Sequence, residues 1–143
     1  MSVKQISVFL ENRPGALRNM TGVLAQRGID MRAFSLAETS DFGIARVIVD
    51  DVFTTTTILR DAGFIHSVIP VLAVALSDTP GGLDTVLGIL EEAGVNVEYM
   101  YAFLGGQRGG AYMIFKVADE TAAAAALTAG KIRLVDQEEL SQL

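Results

Sequence analysis

The sequence predicts an α+β fold in which one strand–helix–strand–strand–helix–strand unit is built twice. Three observations carry that expectation. First, the segment Asn12-Arg13-Pro14-Gly15-Ala16-Leu17 returns 66 residues later as Asp78-Thr79-Pro80-Gly81-Gly82-Leu83. Around it, Val8, Leu10, Gly22, Leu24 and Gly28 repeat as Val74, Leu76, Gly88, Leu90 and Gly94. Second, hydrophobic periodicity alternates between strand and helix type in the same order in both halves. Third, the halves meet near Pro70 with almost no linker, which holds them against each other. Repetition at this period marks two copies of one supersecondary unit.

The elements follow from local pattern. Residues 3–10 alternate and are rich in β-branched side chains, so they form a strand. Pro14-Gly15 punctuates the chain. Leu17, Met20, Val23 and Leu24 then recur at helical spacing over 16–27, and Gly28 stops the helix as a left-handed C-terminal glycine does. Residues 29–38 and 43–49 read as strands around a turn at 39–42. Asp50-Asp51 suits a helix N-terminus. The helix over 52–62 carries four threonines, Thr54–Thr57, so packing must outweigh weak propensity. Gly63 ends it, and 64–69 is a fourth strand.

The second copy repeats this string: strand 71–76, helix 83–93, strand 95–104, strand 111–117, helix 119–129 and strand 132–135. The alanine run Ala122–Ala126 is the best available helix former. Residues 136–143 form a tail, disordered or shortly helical. The expected domains are 1–69 and 70–143. Each βαββαβ unit should be a ferredoxin-like sandwich, a four-stranded antiparallel sheet with helices packed on one face. Its second strand is an edge with unpaired N–H and C=O groups. Pairing the edges 29–38 and 95–104 would join the copies into one eight-stranded antiparallel sheet.

Composition narrows the function classes. Half the residues are hydrophobic, enough for a core. No apolar run spans a bilayer and no signal-peptide pattern opens the chain, which gives an expectation of a cytoplasmic protein with no membrane association. There are no cysteines, hence no disulfide framework or thiolate metal site. The net charge of -6 repels phosphate backbones. An RNA-recognition module would need basic and aromatic residues on its third strand. Residues 43–48 have no aromatic, so no nucleic acid partner is expected.

The duplicated loop is the candidate site. A strand turns through Pro-Gly into a helix whose first N–H groups are unpaired and carry the positive end of the dipole. Such a terminus binds a carboxylate. Gly15, Gly81 and Gly82 let a ligand approach the backbone. Asn12 and Asp78 offer oxygens beside it, and Asp30 and Asn96 follow the helix. Donors facing oxygens suit a zwitterion, with the α-carboxylate on one side and the α-ammonium on the other. The alternative is that Asn12 and Asp78 only cap the turn and helix.

The pattern (Asn/Asp)-x-Pro-Gly-x-Leu, then Gly-(Ile/Val)-(Asp/Asn), in a βαββαβ unit resembles the ACT domain. It occurs twice and covers nearly the whole chain, so the sequence is similar to a stand-alone tandem ACT-domain protein. Asp41-Phe42-Gly43-Ile44 and Glu98-Tyr99-Met100-Tyr101-Ala102-Phe103 resemble the same small family. The resemblance implies a regulatory role: an amino acid bound between two ACT units paired edge to edge. It implies ligand contacts from Asn12, Arg13, Pro14, Gly15, Ala16, Leu17 and Asp30, and from Asp78, Thr79, Pro80, Gly81, Gly82, Leu83 and Asn96. Leu10 and Leu76 stand where serine-binding relatives often carry histidine, which leaves the side-chain preference open.

Other candidates reduce to structure. His66 is the only histidine and has no partner ligands in sequence, so no metal is expected. Asp50-Asp51 and Glu91-Glu92 sit at helix ends, where adjacent side chains point apart. No nucleophile elbow exists. The stretch Gly105-Gly106-Gln107-Arg108-Gly109-Gly110 lacks the Gly-Lys-(Ser/Thr) of a phosphate loop and reads as a flexible hairpin connection or a ligand lid. Tyr99, Tyr101 and Phe103 share one strand face, as core or interface packing or, for Tyr99 or Tyr101, as lining of the ligand pocket or the seam between the copies. The expectation is therefore a non-enzymatic regulator without cofactor. It senses an amino acid or similar small zwitterion and transmits it to a regulated enzyme or to oligomer state, with a homodimer expected. The alternative is a protein–protein regulatory subunit that uses its edge strands without a small ligand.

Overall fold

A computed structural model of the chain describes residues 2–103 and 111–143. The glycine-rich connection at 105–110 lies outside the described residues. The chain divides into two compact units at Ile69/Pro70, with Val3 grouping with the second.

The first unit contains β1 (Val3–Glu11), α1 (Ala16–Gln26), β2 (Met31–Glu38), β3 (Phe42–Val49), α2 (Val52–Asp61) and the opening residues, 66–69, of β4 (His66–Leu76). Its strand order is β2-β3-β1-β4, with β3 antiparallel to both β1 and β2. Alternation on β1 and β3 turns Ile6, Val8, Leu10, Ala45, Val47 and Val49 to one face. There they meet Met20 and Leu24 of α1 and Ile58 and Leu59 of α2. On α1 the buried residues Ala16, Met20 and Leu24 lie one turn apart, the stripe a sheet-packed helix needs. The threonine-rich α2 forms because its hydroxyls are satisfied locally. Thr55 is buried and donates to the Asp51 carbonyl at 2.8 Å. Thr56 and Thr57 donate to the Phe53 carbonyl.

The second unit holds the rest of β4, α3 (Gly82–Glu92), β5 (Val97–Ala102), β6 (Ala111–Val117), α4 (Glu120–Ala129), β7 (Leu134–Val135) and α5 (Gln137–Ser141). Its order is β7-β4-β6-β5. Leu72, Val74, Phe115 and Val117 face Val86 and Leu90 of α3 and Ala123 and Leu127 of α4.

One expectation changes. Seven strands are present among the described residues, not eight, because the last strand of the first copy and the first strand of the second are one strand, β4. Pro70 sits inside it. Proline donates nothing to a ladder but its fixed φ fits extended backbone, so an exposed strand position accepts it. Of the two alternatives for the tail, the structure has the short helix. α5 is closed by a capping box in which the Asp136 side chain accepts from Glu139 N and Glu139 reaches back to Asp136 N.

Candidate ligand-binding site

The two Pro-Gly loops share one backbone solution. Gly15 and Gly81 stand at the N-caps of α1 and α3 in left-handed conformation, φ 85° and 88°. Each has open space where a Cβ would be. Glycine is required there by backbone conformation. Within the turns, Ala16 N donates to Arg13 O at 3.3 Å and Gly82 N to Thr79 O at 3.1 Å.

No side chain caps α1 or α3. The other three helices are each capped by an aspartate, Asp51, Asp119 or Asp136. The helix-capping alternative for Asn12 and Asp78 therefore fails, and the helices after the two duplicated loops start without a side-chain acceptor for their first turns. At α2 the Thr54 hydroxyl and N–H hold the Asp51 carboxyl below its ordinary range.

Asn12 has a different occupation. Its Nδ2 donates to Thr39 O at 3.0 Å, Glu38 Oε2 at 3.3 Å and Ser40 O at 3.4 Å, tying the loop to the β2–β3 turn. Asp78 has no amide hydrogens and cannot repeat this. Gly82 also departs from expectation. A Cβ on it would run into the Ser77 carbonyl oxygen, so its missing side chain accommodates the chain itself.

A cavity of about 410 Å³ opens beside the first loop, lined by Phe9, Leu10, Glu11, Arg13, Ala16, Asn19, Phe42, Gly63, Phe64 and Ile65. Arg13 Nε donates to Glu11 Oε2 at 2.6 Å on its rim. A second cavity of about 400 Å³ lies at the other loop, lined by Leu76, Ser77, Thr79, Pro80, Gly81, Gly82, Asp84, Thr85, Val86 and Ile132. Of the expected residues, the first cavity gathers Arg13 and Ala16, and the second Thr79, Pro80, Gly81 and Gly82. Asn12, Pro14, Gly15, Leu17, Asp78 and Leu83 stay in the loops or first helical turns without lining either cavity. Sequence reasoning missed the walls contributed by Phe42, Phe64 and Ile65, which only sheet pairing brings to the loop: Phe42 lies opposite Glu11, and Phe9 N donates to Ile65 O. Phe9 was legible, since alternation sets it on the face opposite Val8 and Leu10.

Asp30 and Asn96 are not beside the loop of their own unit. Asp30 precedes Met31, which pairs with Val49, whereas Glu38 at the far end of β2 pairs with Gly43, itself opposite Leu10. The separation is most of a strand length, roughly 20 Å at 3.3 Å per residue. Asn96 likewise sits by Val117–Ala118, its carbonyl accepting from Ala118 N at 3.1 Å, while Leu76 pairs with Ala111 at the loop end. Near Asp30, Arg32 makes a two-point bond to Asp50, Nε to Oδ1 at 3.0 Å and Nη2 to Oδ2 at 2.9 Å. That bond, with the Asp50 and Asp30 charges, holds its guanidinium more firmly protonated than usual.

Tyr99 stacks on Tyr101 with ring centroids 6.5 Å apart, and pairs across to Lys116. It lies toward the Asn96 end and does not line the second cavity. His66 Nδ1 lies 3.0 Å from Phe64 O, a local structural contact. Among the described residues no group of three or more His, Asp or Glu is placed to hold a metal, and no helix is long and apolar enough to cross a membrane.

Comparison with known proteins bears on this geometry. The family model of the ACT domain pair matches residues 1–143. Protein BT0572 from Bacteroides thetaiotaomicron is similar at 34% identity and a TM-score of 0.92, covering 100% of this chain and 98% of that one. The regulatory subunit of aspartate kinase from Thermus thermophilus shares the fold, with TM-score 0.63 at 18% identity over 90% of each chain. The acetolactate synthase small subunit of Buchnera aphidicola (subspecies Baizongia pistaciae) is 30% identical over 74 residues, 52% of this chain and 46% of that protein. The chain thus spans about half the length of the curated relatives it matches. With the duplicated Pro-Gly loops and the two βαββαβ units, the whole-length match means that this chain belongs to the ACT domain pair family.

Proposed function

We propose that this chain is a regulatory, non-catalytic protein that binds an amino acid through its Pro-Gly loops and passes the binding event to a partner enzyme or to its own oligomeric state, a homodimer being the simplest. The observation that carries this reading is the missing helix caps. Three helices of the described residues begin on a capping aspartate, and the two that follow Pro-Gly have no side-chain cap. An α-carboxylate completes such a terminus, by charge-assisted bonds of about 1.5–3 kcal/mol each. A ligand acts as a regulator only through different affinity for two states. Because Asp30 and Asn96 stand a strand length from the loops of their own units, one unit does not grip both poles of a zwitterion with these residues. If Asp30 or Asn96 holds the ammonium, it does so from another ACT unit.

The test is a thermal-shift screen of the full chain against the twenty amino acids, each with its α-amide as control. Ligand at about 100 times its dissociation constant stabilises by roughly 2.7 kcal/mol. A selective shift that disappears with the amide supports carboxylate capture at the helix N-termini. A flat screen sinks the reading. It would favour the second one, a protein–protein regulatory module, to which the exposed Phe9, Phe42 and Ile65 and the small-subunit names of the curated relatives speak.

A further inference from the structure

We infer that the two copies have diverged in charge and lining, so that the chain takes one amino acid with an apolar side chain, in the cavity of the first copy. This rests on the amino-acid reading above and narrows it to a ligand class and a stoichiometry. On the first loop and the first turn of α1 the charged residues are Glu11, Arg13 and Arg18, with the Glu38 carboxylate held beside them through Asn12. At the equivalent places of the second loop stand Ser77, Thr79 and Asp84, and Asp78 replaces Asn12, an excess of two negative charges. Asp84 lies in the first turn of α3, where a carboxylate uses up the favourable end of the dipole; α1 has no acid in its first turn. An incoming α-carboxylate meets the Arg13 cation and an acid-free first helical turn at the first loop, but Asp78 and Asp84 with no cation at the equivalent places of the second.

The first cavity also has the complement for the remainder of the molecule. Arg13 and Glu11 present a positive and a negative pole side by side at 2.6 Å, both more than half exposed, a pair weak enough for a zwitterion to share. Three of the six exposed large hydrophobic side chains among the described residues, Phe9, Phe42 and Ile65, converge on this cavity, and Phe42 and Ile65 are 60% and 73% exposed. Apolar surface left open beside a matched charge pair fits an aliphatic or aromatic amino acid side chain.

Isothermal titration of the full chain with leucine, isoleucine, valine, phenylalanine and methionine, against serine, aspartate and lysine, tests this. The expected result is binding confined to the apolar set with one site per chain. Arg13→Gln and Phe42→Ser should each weaken it at least tenfold with unchanged circular dichroism. Phe53→Ser, which removes an exposed phenylalanine elsewhere, should leave it intact. Selective binding of a polar amino acid, two equivalent sites per chain, or indifference to both cavity substitutions overturns the inference while the amino-acid reading stands. Binding of no amino acid overturns both.

Discussion

Asn12→Asp is the substitution that most sharply tests how the first loop is held. It places in the first copy the residue found at the equivalent position of the second, at nearly constant volume. The Asn12 amide has two hydrogens for three acceptors, and only the bond to Thr39 O at 3.0 Å is well formed; those to Glu38 and Ser40 are 3.3 and 3.4 Å. All are exposed, so losing the set, as in Asn12→Ala, should cost about 1 kcal/mol. Aspartate loses the same donors and adds a charge beside the Glu38 carboxylate, roughly another 1 kcal/mol at close range in water. The expected total is about 2 kcal/mol at low ionic strength, a fall in Tm of about 4–8 °C for a chain of this size. At 1 M salt, where the screening length is about 3 Å, the aspartate variant should converge on the alanine one. Urea unfolding at two salt concentrations measures both terms, and amide exchange at Phe42 reports the turn itself, since Phe42 N bonds to Thr39 Oγ1. An aspartate variant as stable as the parent at low salt would refute the hairpin-staple reasoning.

Two further outcomes are expected. Gly82→Ala forces a Cβ onto the Ser77 carbonyl and should destabilise by about 1–3 kcal/mol in chemical denaturation, although alanine stands at the equivalent position 16 of the first copy; no loss would show that the loop relaxes freely. Asp51 has a lowered folded pKa, so its contribution is fully present above the ordinary value of 3.8 and fades as pH falls through the lower folded value. Asp51→Asn should therefore flatten the acid limb of a Tm-against-pH curve, and an unchanged limb would remove Asp51 as a cause.

What the sequence made legible was whatever depends on near neighbours. The spacing of Met20 and Leu24, the alternation of Ile6, Val8 and Leu10, and the glycines at 28, 63 and 94 each encode a local choice, and together they yield both copies in order. The α5 cap was legible too, since Asp136-x-x-Glu139 is a capping-box pattern. Pro70 stands where the two units divide, but the strand runs on through it, because proline fits extended backbone at an exposed position that needs no N–H. The site was less readable. Which end of a strand a residue occupies depends on register, so the strand length that separates Asp30 from the loop of its own unit was not written in the sequence. The bonds that the Asn12 amide nitrogen makes were hidden because its partners lie 26 to 28 residues away. The aromatic wall of the first cavity joins residues from β1, β3 and the turn before β4, a proximity that no local pattern carries.

The aromatic residues divide unevenly between the copies. The chain has no tryptophan, and its three tyrosines, Tyr99, Tyr101 and Tyr112, all belong to the second unit. Two of them stack, and the third meets Phe103 edge-on with centroids 6.1 Å apart. Intrinsic emission and near-ultraviolet dichroism from tyrosine therefore report on the second copy alone. A ligand seated in the first copy, among phenylalanines that barely absorb at tyrosine wavelengths, is spectroscopically silent unless its binding alters the other half. The chain thus carries a built-in, label-free probe, and a tyrosine signal that follows occupancy of the first cavity would measure communication between the copies directly.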